Sequence, residues 1–111
     1  MAERPVCRII RSTEELTASM FERPLTVSDM LRLQRVMAHL ADARQKLCPE
    51  IKGEEVLPEP LKSAFCEKIR SFLESAVREV ERKGRIERPD EFTRIIYYVT
   101  RLQQEYKCGR G

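Results

Sequence analysis

The residues with most to offer chemically are Arg94, Tyr97 and Arg101, an aromatic ring flanked by two guanidiniums at i, i+3 and i+7. On a helix they fall on one line, away from Phe92, Ile95, Ile96, Val99, Leu102 and Tyr106, whose spacing marks a buried face. Arginine neutralises phosphate and a tyrosine ring stacks on an unpaired base, so the trio fits RNA or DNA. Arg32, Arg35, His39 and Lys46 form a second outward cationic line on an earlier segment. The same residues also fit an ordinary solvated surface, with Glu91 pairing with Arg94, Glu105 pairing with Arg101 and Tyr97 packing on a neighbour.

Catalytic chemistry finds less support. The sequence offers no nucleophile beside a base and no phosphate-cradling glycine loop; Gly53, Gly84, Gly109 and Gly111 are scattered. His39 is the lone histidine. Glu67, Glu74, Glu79 and Glu81 stand three or four residues from Arg70, Arg78, Arg82 or Lys83, the spacing of solvated ion pairs. No enzyme activity, metal or cofactor is expected. Cys7, Cys48, Cys66 and Cys108 are too far apart for the paired ligand spacing of a zinc site. They read as structural, either packed as small hydrophobes or bridged as 48 with 66 and 7 with 108.

The elements that position these residues are helical. Ser12 to Glu15 resembles a capping box, opening a short helix over 12–21 that Pro24 stops. Residues 1–11 read as an arm. A long helix begins at Thr26 or Ser28 and runs to Leu47, its seam of Met30, Leu33, Met37, Leu40 and Leu47 broken only by Arg44. Residues 48–60 hold three prolines and a local charge of −3, the mark of an acidic loop. After Pro60 a helix buries Leu61, Phe65, Ile69, Phe72, Leu73, Ala76, Val77 and Val80 and ends at Gly84; another runs from Pro89 or Asp90 to near Cys108. Leu31 points away from the seam of its helix and Tyr98 flanks that of its own, so the first helix, the arm or another subunit must cover them or leave them exposed. The expected fold is all-α, an antiparallel bundle of three long helices plus one short N-terminal helix, within a single domain spanning 1–111.

Composition agrees with a globular chain: 111 residues, 41% hydrophobic and 35% charged, with a net charge of +3. No run is long and apolar enough for a transmembrane helix, and a cytoplasmic location is expected. Asparagine is absent and arginine outnumbers lysine 15 to 6, as expected of a thermophile or of a biased genome.

Pro24 to Leu33, reading Pro-Leu-Thr-Val-Ser-Asp-Met-Leu-Arg-Leu, resembles a helix opening in the small α-helical subunit of type III-A CRISPR effector complexes. Leu61, Lys62 and Phe65, and the aromatic helix from Phe92 to Tyr106, resemble later parts of that family. Asp29 stands where the family has Gln, and the family's middle Gly-Arg is missing. The resemblance implies a non-catalytic subunit that stacks in a ribonucleoprotein and touches the RNA backbone. Ile69, Arg70, Glu91 and Phe92 also resemble the helical domain of GINS-type replication subunits. Either likeness implies a subunit among protein partners, with Arg32, Arg35, Arg94, Tyr97 and Arg101 as the nucleic-acid-binding residues by physical reading. The alternative is a protein-binding or self-associating bundle, a homo-oligomer included, without nucleic acid or membrane contact.

Overall fold

Proline opens three of the four helices found among the described residues, because a first-turn N–H has no intrahelical acceptor and proline gives up nothing there. The computed structural model describes residues 3–109; residues 1–2 of the expected arm and residues 110–111 lie outside them. Helix α1 spans Pro5–Met20, α2 Val27–Leu47, α3 Glu59–Lys83 and α4 Pro89–Glu105. Pro5 and Pro89 are the first residues of α1 and α4, and Pro60 is the second of α3. At α2 the Thr26 hydroxyl accepts the Asp29 N–H at 3.1 Å instead. Gly84 ends α3 at φ 71°, a left-handed turn that costs only glycine nothing.

The four helices pack on one core. Phe65 sits between Phe21 and Tyr106, ring centroids 5.0 and 5.6 Å away and nearly perpendicular, the edge-to-face arrangement aromatic quadrupoles favour. Met30, Met37, Ile69, Ile95, Val99 and Leu102 complete it, all buried. A short connection over 21–26 and the Cys7–Cys48 disulfide at the other end run α1 and α2 in opposite directions. The Arg44–Glu105 and Asp42–Arg101 contacts bring the C-terminal ends of α2 and α4 together, and Val27 lines a groove with Phe92 and Ile95 at their N-terminal ends. These two helices therefore lie side by side in the same direction.

Several expectations change. The first helix begins at Pro5, seven residues before Ser12, so residues 5–11 of the expected arm are helix and Glu14 is buried within it. Leu47 lies outside the seam, 46% exposed, while Arg44, the residue that broke the pattern, is 1% exposed. Val77 and Ile96 are also exposed. Leu31 and Tyr98 find their cover within the chain, half-buried against the core. Within 48–60, a 3-10 turn at Gly53–Glu55 and buried Val56 and Leu57 fold the acidic loop onto the bundle.

The cysteines bridge as Cys7 with Cys48 and Cys66 with Cys108, correcting the expected 48–66 and 7–108 pairing. Because α1 is already helical at Pro5, Cys7 lies two turns before Glu14 on the face that meets α2, next to the end of that helix. Cys66 follows Phe65, whose ring meets Tyr106, and Cys108 lies two residues beyond that tyrosine.

Non-reducing peptide mapping should return these two pairs and no 48–66 peptide. Each bridge closes a loop of similar size, with sequence separations of 41 and 42 residues. Loop entropy then assigns each about 4 kcal/mol, measurable as denaturant stability lost when a cysteine pair is replaced by serine. A Cβ at Gly53 would overlap the Glu105 carbonyl oxygen and come within 2.7 Å of its Oε2. Gly53→Ala should therefore cost about 1–3 kcal/mol by the same measurement.

Candidate nucleic-acid interface

The polar groups around α2 and α4 divide into a buried ion cluster that is fully paired and an outer set that is not. Arg44 is the hub of the first. Its Nε donates to Glu14 Oε1 at 2.9 Å, one terminal nitrogen donates to Glu105 and the other to the Ile51 carbonyl at 3.1 Å. The Tyr106 hydroxyl donates to Glu14 Oε2 at 2.6 Å, and Gln45 Nε2 donates to Glu105 Oε1, also at 2.6 Å. Burial by itself disfavours the Arg44 charge, but the carboxylates of Glu14 and Glu105 outweigh it and hold the guanidinium above its ordinary pKa. Burial, reinforced by the Glu14 charge, raises the Tyr106 phenol well above its usual range. Glu14, Arg44 and Tyr106 are closed off from solvent, so the chemistry of this cluster is spent on joining α1, α2, α4 and the 48–58 connection.

Arg101 belongs to the edge of that network. It donates to Glu105 Oε1 at 3.1 Å and pairs with Asp42 across the α2–α4 seam. Desolvation opposes its charge, but these two carboxylates raise its pKa overall. Of the nucleic-acid residues expected from sequence, Arg101 is thus the one held by two carboxylates in a half-buried site. Arg32 lies 3.6 Å from Asp29 and stays largely exposed. Arg94 does not pair with Glu91, which faces Arg88 instead at 3.7 Å. Among the described residues Arg35 and Arg94 take part in no ion pair.

Their positions follow from helix geometry. Arg35 is seven residues before Asp42 and Arg94 seven before Arg101, two turns back along neighbouring helices that point the same way. Where the later pair joins arginine to aspartate, the earlier one sets two arginines over the same seam. Tyr97, 60% exposed and edge-on to Tyr98 at 5.3 Å, lies one turn beyond Arg94. The sequence identified this cation–aromatic–cation line and offered Glu105 as a partner of Arg101; it missed Asp42, which is 59 residues away in the chain. His39 and Lys46 are exposed on α2 as expected.

Beyond the reach of α1, the far ends of α3 and α4 leave a groove of about 480 Å³ lined by Val27, Phe72, Ala76, Ile86 and Phe92. Lys83, paired with Glu79 at 3.3 Å and Glu87 at 2.7 Å, occupies its rim. Among the described residues there is no group of three or more His, Cys, Asp or Glu able to hold a metal, and no helix long and apolar enough to cross a membrane. No family model, curated protein or solved structure matches the chain.

Gln34 is fully buried on α2, and neither its Oε1 nor its Nε2 has a hydrogen-bond partner among the described residues. Replacing it with methionine removes that penalty at similar volume, and Gln34→Met should raise the thermal midpoint, corresponding to about 1–2 kcal/mol. The Tyr106 shift fixes an alkaline limit. Above pH 10 the unfolded phenol releases its proton while the folded one keeps it, so stability is intact below that pH and falls above it by about 1.4 kcal/mol per pH unit. Urea titrations between pH 8 and 11 should show this slope, and Tyr106→Phe should flatten it while costing about 1–3 kcal/mol at neutral pH by leaving Glu14 one donor short.

Proposed function

We propose that the protein is a non-catalytic helical subunit of a nucleic-acid-handling assembly, contacting the phosphate backbone of RNA or DNA across the α2–α4 seam. The observation that carries the reading is the pair Arg35 and Arg94, set on adjacent helices without a carboxylate between them, where the equivalent pair two turns later is neutral. Arg32 adds a third exposed charge on α2, and Tyr97 offers a ring to an unpaired base. Arg101 serves this surface as a strut rather than as a phosphate ligand, holding α4 against α2 through Asp42 and Glu105. The antiparallel arrangement of the three long helices, as the helix lengths and connections support it, gives the seam a rigid base. The likeness of Pro24 to Leu33 to the type III-A CRISPR small subunit points to the same class, as does the GINS likeness. Catalysis forms no part of the proposal.

With three cations on phosphate, the affinity for single-stranded RNA should fall with salt at a log–log slope of about −2, measured by fluorescence anisotropy between about 50 and 200 mM. Arg35→Glu with Arg94→Glu should abolish binding, Tyr97→Ala should lower it by about 1–3 kcal/mol where a base stacks, and Arg101→Gln should act through stability. Absence of salt-dependent binding by the wild type to RNA and DNA, single- or double-stranded, overturns the reading.

A further inference from the structure

The two disulfides close loops of nearly equal size but sit in different surroundings. Cys7 and Cys48 are 1% and 0% exposed, inside the contact between the start of α1 and the end of α2. The Arg4 guanidinium lies over that bridge, donating to the Leu47 carbonyl with one nitrogen 4.0 Å from the Cys48 sulfur. A reagent reaches these sulfurs only if α1 leaves α2. Cys66 and Cys108, by contrast, are half-buried at the edge of the core. Cys108 lines an open depression of about 570 Å³ together with Gln103, Gln104, Lys107 and Gly109.

The backbone around Cys108 is held locally. Helix α4 ends at Glu105, and Tyr106 is fully buried behind it. Lys107 then turns to φ 53°, and the Cys108 N–H donates to the Gln103 carbonyl at 2.9 Å. This is a helix C-cap closure of the Schellman kind, with lysine in the left-handed position that glycine usually fills. A non-glycine residue keeps that conformation only where its surroundings hold it. Among the described residues, the ties beyond Tyr106 are this one hydrogen bond and the bridge to Cys66 in the second turn of α3. The core does not depend on either, because the Tyr106 ring against Phe65 and its hydroxyl on Glu14 come before the turn. Opening this bridge therefore releases the cap without dismantling the bundle.

We propose that Cys66–Cys108 is a redox latch, opened by a dithiol reductant on the folded protein, while Cys7–Cys48 stays closed as a permanent strut. One thiolate of the reductant attacks the Cys108 sulfur from the open depression, forming a mixed disulfide as Cys66 leaves as a thiolate. The second thiolate of the reductant then displaces Cys108. Two electrons and two protons pass from the dithiol, which becomes a disulfide, to the two cysteines, which become thiols. The segment after Tyr106 is then free of α3, and Lys107 relaxes from its positive φ. The latch lies past the end of α4, and the inference does not depend on nucleic-acid binding.

The test is graded dithiothreitol on the oxidised protein at neutral pH without denaturant, with alkylation of the thiols and peptide mapping over time. Cys66 and Cys108 should be alkylated first, at least about tenfold faster than Cys7 and Cys48, because a local opening suffices for the first pair and separation of α1 from α2 is needed for the second. The near-ultraviolet signal of the aromatic core should persist in the half-reduced protein, and hydrogen exchange at the Cys108 amide should rise. Cys66→Ser with Cys108→Ser should show the same raised exchange in the absence of reductant and should yield no thiol under native reduction. Cys7→Ser with Cys48→Ser should leave the opening of the other bridge in place. Release of no thiols, of all four together or of Cys7 and Cys48 first overturns the proposal. So does loss of the aromatic signal on opening of the first bridge, or exchange at Cys108 that does not change.

Discussion

The structure depends on the buried guanidinium of Arg44. A charge that is 1% exposed is tolerable only when every nitrogen has an acceptor and the net charge is balanced, and the surroundings meet both conditions. Glu14 must arrive from α1, Glu105 from α4 and the Ile51 carbonyl from the 48–58 connection. Tyr106 then takes the remaining side of Glu14. An apolar core of the same volume would hold the helices together as strongly, but it would tolerate sliding or rotation. The ion cluster tolerates neither, because any shift of α1 or α4 along α2 strands a carboxylate or the guanidinium in a dry interior.

The covalent bonds reinforce the same end of the molecule. Cys48 lies one turn beyond Arg44, Cys108 two residues beyond Tyr106, and Cys66 next to Phe65. Gly53 rests against the Glu105 backbone, so the acidic connection is pressed onto α4 where the network ends. The other end is built differently. Residues 81–90 are exposed throughout apart from little core contact, and α1 does not reach the tips of α3 and α4. Ion pairs among Glu79, Lys83 and Glu87 replace packing there, and such exposed pairs contribute little. The elongated shape, 55 by 25 by 24 Å, thus has one rigid end and one held mainly by local helix stability.

This asymmetry organises the surface. Where the network reaches the outside, at Arg101 and Asp42, charges are answered within the chain. Two turns away, over the same seam, Arg35 and Arg94 are left without carboxylates, and on α1 Val6, Ile9, Leu16 and Met20 are left without an apolar cover. The two unanswered surfaces differ in kind, one cationic with an aromatic edge and the other apolar.

Local pattern in the sequence determined the helical class, helix starts at Thr26 or Ser28 and at Pro89 or Asp90, the stop at Gly84, the ion pairs of Glu67 and Glu79 within α3, and the cation–aromatic line on α4. Each of these rests on residues within a turn or two of one another, where 3.6-residue periodicity, capping chemistry and glycine's freedom at positive φ act directly. The fate of Arg44, the Asp42 partner of Arg101 and the pairing of the cysteines were decided by tertiary structure alone. Arg44 looked like a flaw in an apolar seam because its partners lie 30 and 61 residues away, and of the two partners of Arg101 only Glu105, one turn on, was legible, because Asp42 is 59 residues distant. Glu14 and Pro5 could be read as a capping residue and an arm until α1 was seen to continue through both, and that earlier start carries Cys7 to Cys48. Burial of a charge is visible only once all its partners are in place, since no single helix contains enough of them to make it favourable.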